Sequence, residues 1–289
     1  MPKAQVQGVQ LEYVEKGAGT PVVLVHGSAS DWRTWSAQLD AFSKGHRVVA
    51  YSRRYHWPNA PIAEGADYAM HEHATDLAAF VRALGLAPAH LVGHSYGAFV
   101  ALLAALREPQ IARTVVLGEP PVTTLLASAQ PRLSELARLA LTRPRTLAAL
   151  LAFGARGPAP ATAAARRGDL DGAMRIFGQA VLGPAYYRRL SRSRLEQVQA
   201  NAIKAELLGS GFPKLDAGEV RQLRLPVLLV EGTDSPAIFH RLMDALEDII
   251  PLARRTSIAK ASHNMHEDDA VAYNAAVLSF LAHHSQGQS

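Results

Sequence analysis

The chain has 289 residues, a formal charge of +5, no cysteine, and 48% apolar against 19% charged residues. That length suits one large core or a core with an inserted subdomain, and the balance excludes a mainly disordered chain. Without cysteine there are neither disulfides nor thiolate metal sites.

The mild excess of positive charge has its densest run at Tyr187-Arg188-Arg189-Leu190-Ser191-Arg192-Ser193-Arg194. The run is short and belongs to no recognised nucleic-acid module, so it reads as a solvated helix face. Its field would slightly favour anionic substrates. The first residues show no apolar signal core, and no stretch reaches the roughly 18 unbroken apolar residues of a membrane helix. The expected address is the cytoplasm. The expected partner is a small-molecule substrate, without nucleic acid or membrane, and a homodimer is left open.

Val6 to Glu15 alternates apolar and polar residues and stops at Gly17-Ala18-Gly19-Thr20, which predicts a hairpin strand and a turn. Pro21 to Val25 is wholly apolar, as expected of a strand buried on both faces. A helix is predicted from Asp31 to Ser43 with Asp31 as its cap, then a strand from His46 to Ser52 and a helix from His71 to Leu84. His90 to Gly93 reads as strand, Tyr96 to Leu106 as helix and Ile111 to Gly118 as strand. This alternation predicts a mostly parallel central sheet flanked by helices.

From about Pro120 to Leu223 the chain is rich in Ala, Leu and Arg, helical in period, with one loop-like patch at Gly154 to Gly168. Strand signal returns at Leu225 to Val230. A helix near Pro236 to Ile249, a strand from Arg254 to Ile258 and a helix from Asp268 to His283 follow. The predicted organisation is an α/β core in two parts, 1–119 and 224–289, with a helical cap at 120–223.

Gly93-His94-Ser95-Tyr96-Gly97 lies between a buried-type strand and an apolar helix. Gly-x-Ser-x-Gly in that place puts the serine on a sharp, strained strand-to-helix turn, with small residues two places either side to avoid clashes. Ser95 is therefore the candidate nucleophile. Val25-His26-Gly27-Ser28 follows the first buried strand. A loop there can aim a backbone N–H at the oxyanion formed on attack, so the candidate donors are the backbone N–H groups of Ser28 and Tyr96. His26 reads either as a loop histidine fixing the turn or as a substrate contact.

The strand with His26-Gly27, the elbow at 93–97, the helical insertion and the closing Ala261-Ser262-His263-Asn264-Met265-His266-Glu267 resemble the α/β-hydrolase superfamily over nearly the whole chain. The resemblance implies a base in the loop after the last strand. Of 12 histidines that leaves His263, at the place of the family's Gly-His ending with Ser262 for the glycine, and His266, which would cap or line the site.

The acid usually follows the penultimate strand in a pattern like Gly-x-x-Asp-Pro. Here the segment is Glu231-Gly232-Thr233-Asp234-Ser235-Pro236, which puts a serine at the expected place and Asp234 one residue early. The rival is Glu119 in Gly118-Glu119-Pro120-Pro121, directly after the strand that follows the nucleophile strand. Zearalenone hydrolases and cofactor-free ring-cleaving dioxygenases of the superfamily carry their acid there. Glu119 is favoured over Asp234.

Where many relatives read Asp-x-Arg-Gly-x-Gly, this chain has Tyr51-Ser52-Arg53-Arg54-Tyr55-His56-Trp57. Tyr55, His56 and Trp57 are candidates to line an aromatic pocket or simply to pack under the cap. Phe153, Met174, Phe177, Tyr186 and Tyr187 are candidates for the inner face of the cap. The resemblance implies a serine hydrolase of an ester, lactone or related carbonyl bond in a hydrophobic small molecule, without cofactor or metal. The alternatives are a cofactor-independent dioxygenase of a heteroaromatic ring, a C–C bond hydrolase and a ligand-sensing protein.

Overall fold

Eight strands form one sheet in the computed structural model, which describes residues 1–285; residues 286–289 of the second core part lie outside it. In chain order they are β1 (Lys3–Val6), β2 (Val9–Lys16), β3 (Thr20–Val25), β4 (His46–Tyr51), β5 (Ala89–His94), β6 (Ala112–Gly118), β7 (Val227–Gly232) and β8 (Ala253–Ile258). Their spatial order is β1-β2-β4-β3-β5-β6-β7-β8. The first two strands pair antiparallel, and the pairs from β3–β4 through β7–β8 are parallel.

The apolar runs are continuous because both faces are covered. Val23, Val25, Leu91, Val115 and Leu117 point into one cluster, with residues of α2 (Met70–Ala83) and α3 (Tyr96–Arg107). Their neighbours Val22, Leu24, Val92 and Val116 point into the other, with α1 (Ser36–Phe42) and the C-terminal helix beginning at Ala270. Successive strand side chains alternate between faces, so every second residue serves each layer. Helix α3 is buried on nearly all sides from Tyr96 to Ala105. Truncating Phe99 in its middle to Ala would cost about 3–5 kcal/mol. The elbow serine thus stands at the head of a helix buried along most of its length.

Residues between β6 and β7 form α4 (Leu133–Thr142), α5 (Pro144–Arg156), α6 (Pro158–Arg166), α7 (Leu170–Leu182), α8 (Pro184–Tyr187), α9 (Arg192–Gln199), α10 (Ile203–Leu208) and α11 (Ala217–Arg221). The patch Gly154 to Gly168, expected to be a loop, is largely helix: α5 runs to Arg156 and α6 starts at Pro158. Pro158 occupies the first helical turn, where its missing N–H has no intrahelical partner to lose, and the following alanines are strong helix formers. The helical segment docks on loops beyond the carboxyl ends of the strands. Asn201 reaches Asp31 at 2.9 Å, and Tyr186 bonds the Lys260 carbonyl at 2.7 Å.

The remaining helices are α12 (Ala237–Glu247), α13 (Met265–Asp268) and α14 (Ala270–Ser285). Asp31 caps as expected, but the turn behind it is a 3-10 helix, Trp32–Trp35, leading into α1. Among the described residues no helix is long and apolar enough to cross a membrane.

Candidate active site

Ser95 sits between β5 and α3 at φ 51° and ψ −120°. That backbone conformation is disfavoured for any residue with a Cβ and persists where the surroundings enforce it. The enforcement is visible on both sides. A Cβ on Gly93 would lie 2.5 Å from Ala98 Cα, and one on Gly97 would run into the carbonyl oxygens of Val25 and His26. Gly27 packs behind the serine, where an added Cβ would stand 3.2 Å from Ser95 Cβ. The N–H of Ser95 donates to the Gly118 carbonyl at 2.7 Å, tying the elbow to β6.

The same β6 delivers the buried carboxylate. Glu119 is fully buried and held at φ 45°. Its N–H donates to the Val230 carbonyl at 3.2 Å, and its Oε1 accepts from the Gly232 N–H at 2.9 Å. Its Oε2 lies 2.6 Å from Nδ1 of His263, which is 2% exposed. A carboxylate on Nδ1 fixes the imidazole tautomer that leaves Nε2 free to take a proton.

Asp234 lies elsewhere. It is exposed, and its Oδ2 accepts from the Tyr186 hydroxyl of α8 at 2.6 Å. Tyr186 is therefore engaged in holding the helical segment to the core and does not line the cavity at Ser95. Ser235, at the family's usual acid position, is buried with its hydroxyl unpartnered among the described residues.

Three features hold the His263 loop. His94 donates Nε2–H to the His263 carbonyl at 2.8 Å. Burial first, then the neighbouring His266 and His263, hold the His94 pKa well below the ordinary value, so its ring stays neutral. Asp268 accepts from the Ser262 N–H at 2.7 Å and from its hydroxyl at 2.5 Å. Phe239 of α12 stacks on the His263 ring, 4.0 Å between centroids and 21° between planes. His94, Phe239 and Asp268 were missed by sequence reasoning. Only His94 carried a signal, its place beside the nucleophile.

His266 is buried 4.6 Å from the Trp35 ring, with Nε2 2.9 Å from the Thr34 hydroxyl. Burial pushes its pKa down to about 4. It packs the loop from behind.

Ser95 opens onto a cavity of ≈ 170 Å³ whose walls include Tyr68, Tyr96, Phe153, Phe177, Glu206 and Phe239. A second chamber of ≈ 270 Å³ adjoins it, and Ser28, Phe177, Val181 and Ile203 belong to both walls. Met174 and Tyr187 line that outer chamber. Ser28 and Tyr96 share the wall of the first cavity with Ser95. None of the hydrogen bonds among the described residues uses either backbone N–H, or the Ser95 hydroxyl. The N–H of Tyr96, at the first position of α3, has no intrahelical acceptor.

Of the residues offered either for an aromatic pocket or for packing, His26, Tyr55, His56 and Trp57 are not among those lining the cavity at Ser95. His26 is buried with Nε2 accepting from the Arg53 N–H at 2.9 Å, so it ties the loop after β3 to the loop after β4. His56 is buried with Nδ1 2.7 Å from the Ser30 carbonyl. Tyr55, at φ 70°, packs 6.1 Å from the Tyr68 ring. Trp57 is 39% exposed beneath the Arg33 guanidinium, 3.7 Å from its ring centroid. Of the three rings at 55–57, that of His56 is packed inside the loop.

Arg53 is 1% exposed and pairs with Glu206 of α10 at 3.0 Å. Burial raises the pKa of Glu206, but His56, Arg53 and Tyr68 outweigh it and bring the carboxyl to about 2. Glu231 of β7 is likewise brought to about 2, where burial is outweighed by His240, Arg255 and Ser257. Both folded-state values lie below the roughly 4.3 of an unfolded glutamate. Their stabilisation is complete above that value and is lost as pH falls from there toward 2. Urea melts at stepped pH are expected to show stability declining over this window, with a shallower decline in Glu206→Gln. An unchanged slope would contradict the assignment.

A twisted, mostly parallel sheet with a strained serine between strand and helix defines an α/β-hydrolase architecture. A model of the α/β hydrolase fold matches residues 20–270, and the chain belongs to that family. Over 109 residues it is 32% identical to bifunctional epoxide hydrolase 2 of Sus scrofa, which covers 37% of this chain and 20% of that enzyme. The chain thus matches only a fifth of that relative's length. A thermophilic esterase from Thermogutta terrifontis superposes with a TM-score of 0.75 at 20% identity, covering 99% of each chain. The enol-lactonase of Burkholderia xenovorans superposes at 0.72 with 19% identity, covering 97% of this chain and 100% of that one. These likenesses carry the fold.

Proposed function

We propose that the protein is a serine hydrolase that cleaves an ester, lactone or related carbonyl bond of a hydrophobic small molecule through an acyl-enzyme. The observation that carries this reading is the buried Glu119–His263 contact at 2.6 Å, in a loop held by His94, the neighbour of a serine on a strained elbow. Ser95 Oγ attacks the carbonyl carbon while His263 Nε2 takes its proton. Glu119 stabilises the imidazolium so formed. The oxyanion rests on the N–H groups of Ser28 and Tyr96. His263 then gives its proton to the leaving oxygen as the carbonyl reforms. A water deprotonated by His263 repeats the sequence and frees the acid from Ser95.

The helical segment serves as a cap that shapes the substrate. Its Phe177, Val181 and Ile203 stand between the chamber at Ser95 and the outer one, so both halves of a substrate pass the same wall. The experiment is a panel of p-nitrophenyl esters and lactones assayed with wild type and Ser95→Ala. Turnover retained by Ser95→Ala would contradict the reading. On the same panel, Val181→Trp is expected to lower kcat/KM about 10-fold for octanoate and little for acetate. Equal effects on both would refute the shared wall.

A further inference from the structure

Among the described residues Glu206 is the one acidic side chain on the wall of the cavity at Ser95, and it comes from the helical segment. It does not face the cavity as a free carboxylate. Its Oε1 accepts from Arg53 Nη2 at 3.0 Å and lies 2.8 Å from the Tyr68 hydroxyl. Its Oε2 accepts from the backbone N–H of Ala29 at 3.1 Å.

Arg53, the other half of the ion pair, holds the same loop from below. Its Nε donates to the His26 carbonyl at 3.2 Å and its Nη2 to the Gly27 carbonyl at 2.9 Å. The peptide groups on either side of Ser28 are therefore clamped by a single ion pair, through the Gly27 carbonyl of one and the Ala29 N–H of the other, while the Ser28 N–H of the first is left unengaged. Ala29 sits at φ 44°, a left-handed conformation that a residue with a Cβ avoids unless it is held there. The guanidinium also lies 4.4 Å from the ring centroid of Tyr96, the residue carrying the second candidate donor.

We propose that Glu206 is a positioning residue that completes the oxyanion hole by holding the 26–29 loop, so that the hole is assembled only when the helical segment is docked. The proposal rests on the reading of Ser95 as nucleophile and Ser28 as oxyanion donor. A carboxylate from the cap, rather than the core alone, then sets the orientation of the Ser28 N–H. Loss of the clamp lets the loop relax, and the donor swings from the place where charge develops. The ground-state substrate, held by the apolar walls, feels little of this.

The test compares Glu206→Gln with wild type on p-nitrophenyl butyrate and measures the second-order rate of labelling by a fluorophosphonate, whose own oxyanion needs the same donors. The expected result is a fall of about 100-fold in both kcat and labelling rate, with KM within about threefold. Cooperative unfolding should be retained. Should Glu206→Gln fail to fold, the double variant Arg53→Met/Glu206→Leu removes the clamp without leaving an unpaired buried charge, and the same fall is expected of it. Labelling and kcat within threefold of wild type, whatever happens to melting temperature, would overturn the proposal. If Ser95→Ala abolishes turnover in that same series, the proposal alone falls. If Ser95→Ala turns over esters like wild type, the nucleophile assignment falls and takes the proposal with it.

Discussion

Ser95→Ala is expected to lower the kcat for an activated ester by about 10⁶-fold, and His263→Ala by a similar factor. The double variant should be no slower than either single one. A nucleophile without its base and a base without its nucleophile are equally idle, so the second deletion has nothing left to remove. Both variants should stay folded. Ser95 adds only a hydroxyl on an elbow whose shape is enforced by Gly93, Gly97 and the Gly118 carbonyl. His263→Ala loses the Phe239 stack but keeps the backbone carbonyl that His94 grips. Additive losses, with the double variant far below each single one, would mean that the two residues act separately.

Glu119→Gln is expected to lower kcat by about 10⁴-fold, while Asp234→Asn stays within about threefold of wild type. The two carboxylates differ in everything that matters to a triad acid. Glu119 is fully buried and touches His263 Nδ1. Asp234 is exposed and spends its carboxylate on Tyr186 and the Thr233 hydroxyl. An amide at position 119 removes the negative charge that stabilises the imidazolium, and its N–H₂ can meet Nδ1 only in the wrong tautomer. Asn at 234 loses a surface tie between α8 and the core, which acts on the docking of the helical segment before it acts on proton transfer. Losses in the opposite order would transfer the role to Asp234.

The sheet and its flanking helices were legible because the strands are buried on both faces. Runs such as Val22-Val23-Leu24-Val25 leave little else for the chain to do. The strained turn at Ser95 was legible because it demands small residues at fixed offsets, and those offsets survive as letters. The buried Glu119–His263 contact was legible more obliquely, through a serine at 235 where a carboxylate was expected and a glutamate after β6 that had no other evident purpose.

What could not be read were long-range contacts at positions that no motif marks. Glu206 reaches Ala29 across 177 positions of chain, and nothing near residue 206 marks it as different from any exposed helix residue. Phe239 looks like ordinary core until its ring is seen on His263. The residues at 55–57 misled because large rings beside a site suggest a pocket. In the structure His56 is buried and with His26 braces the backbone that carries Ser28, while Trp57 is exposed under Arg33.

The central claim is that Ser95 forms a covalent acyl intermediate. Quenched-flow intact mass spectrometry with p-nitrophenyl butyrate, followed by peptide mapping, tests it most directly. A single butyryl adduct is expected on the peptide carrying Ser95, formed within the burst phase and absent in Ser95→Ala. Ester turnover with no adduct at any quench time, or an adduct on another residue, would contradict it.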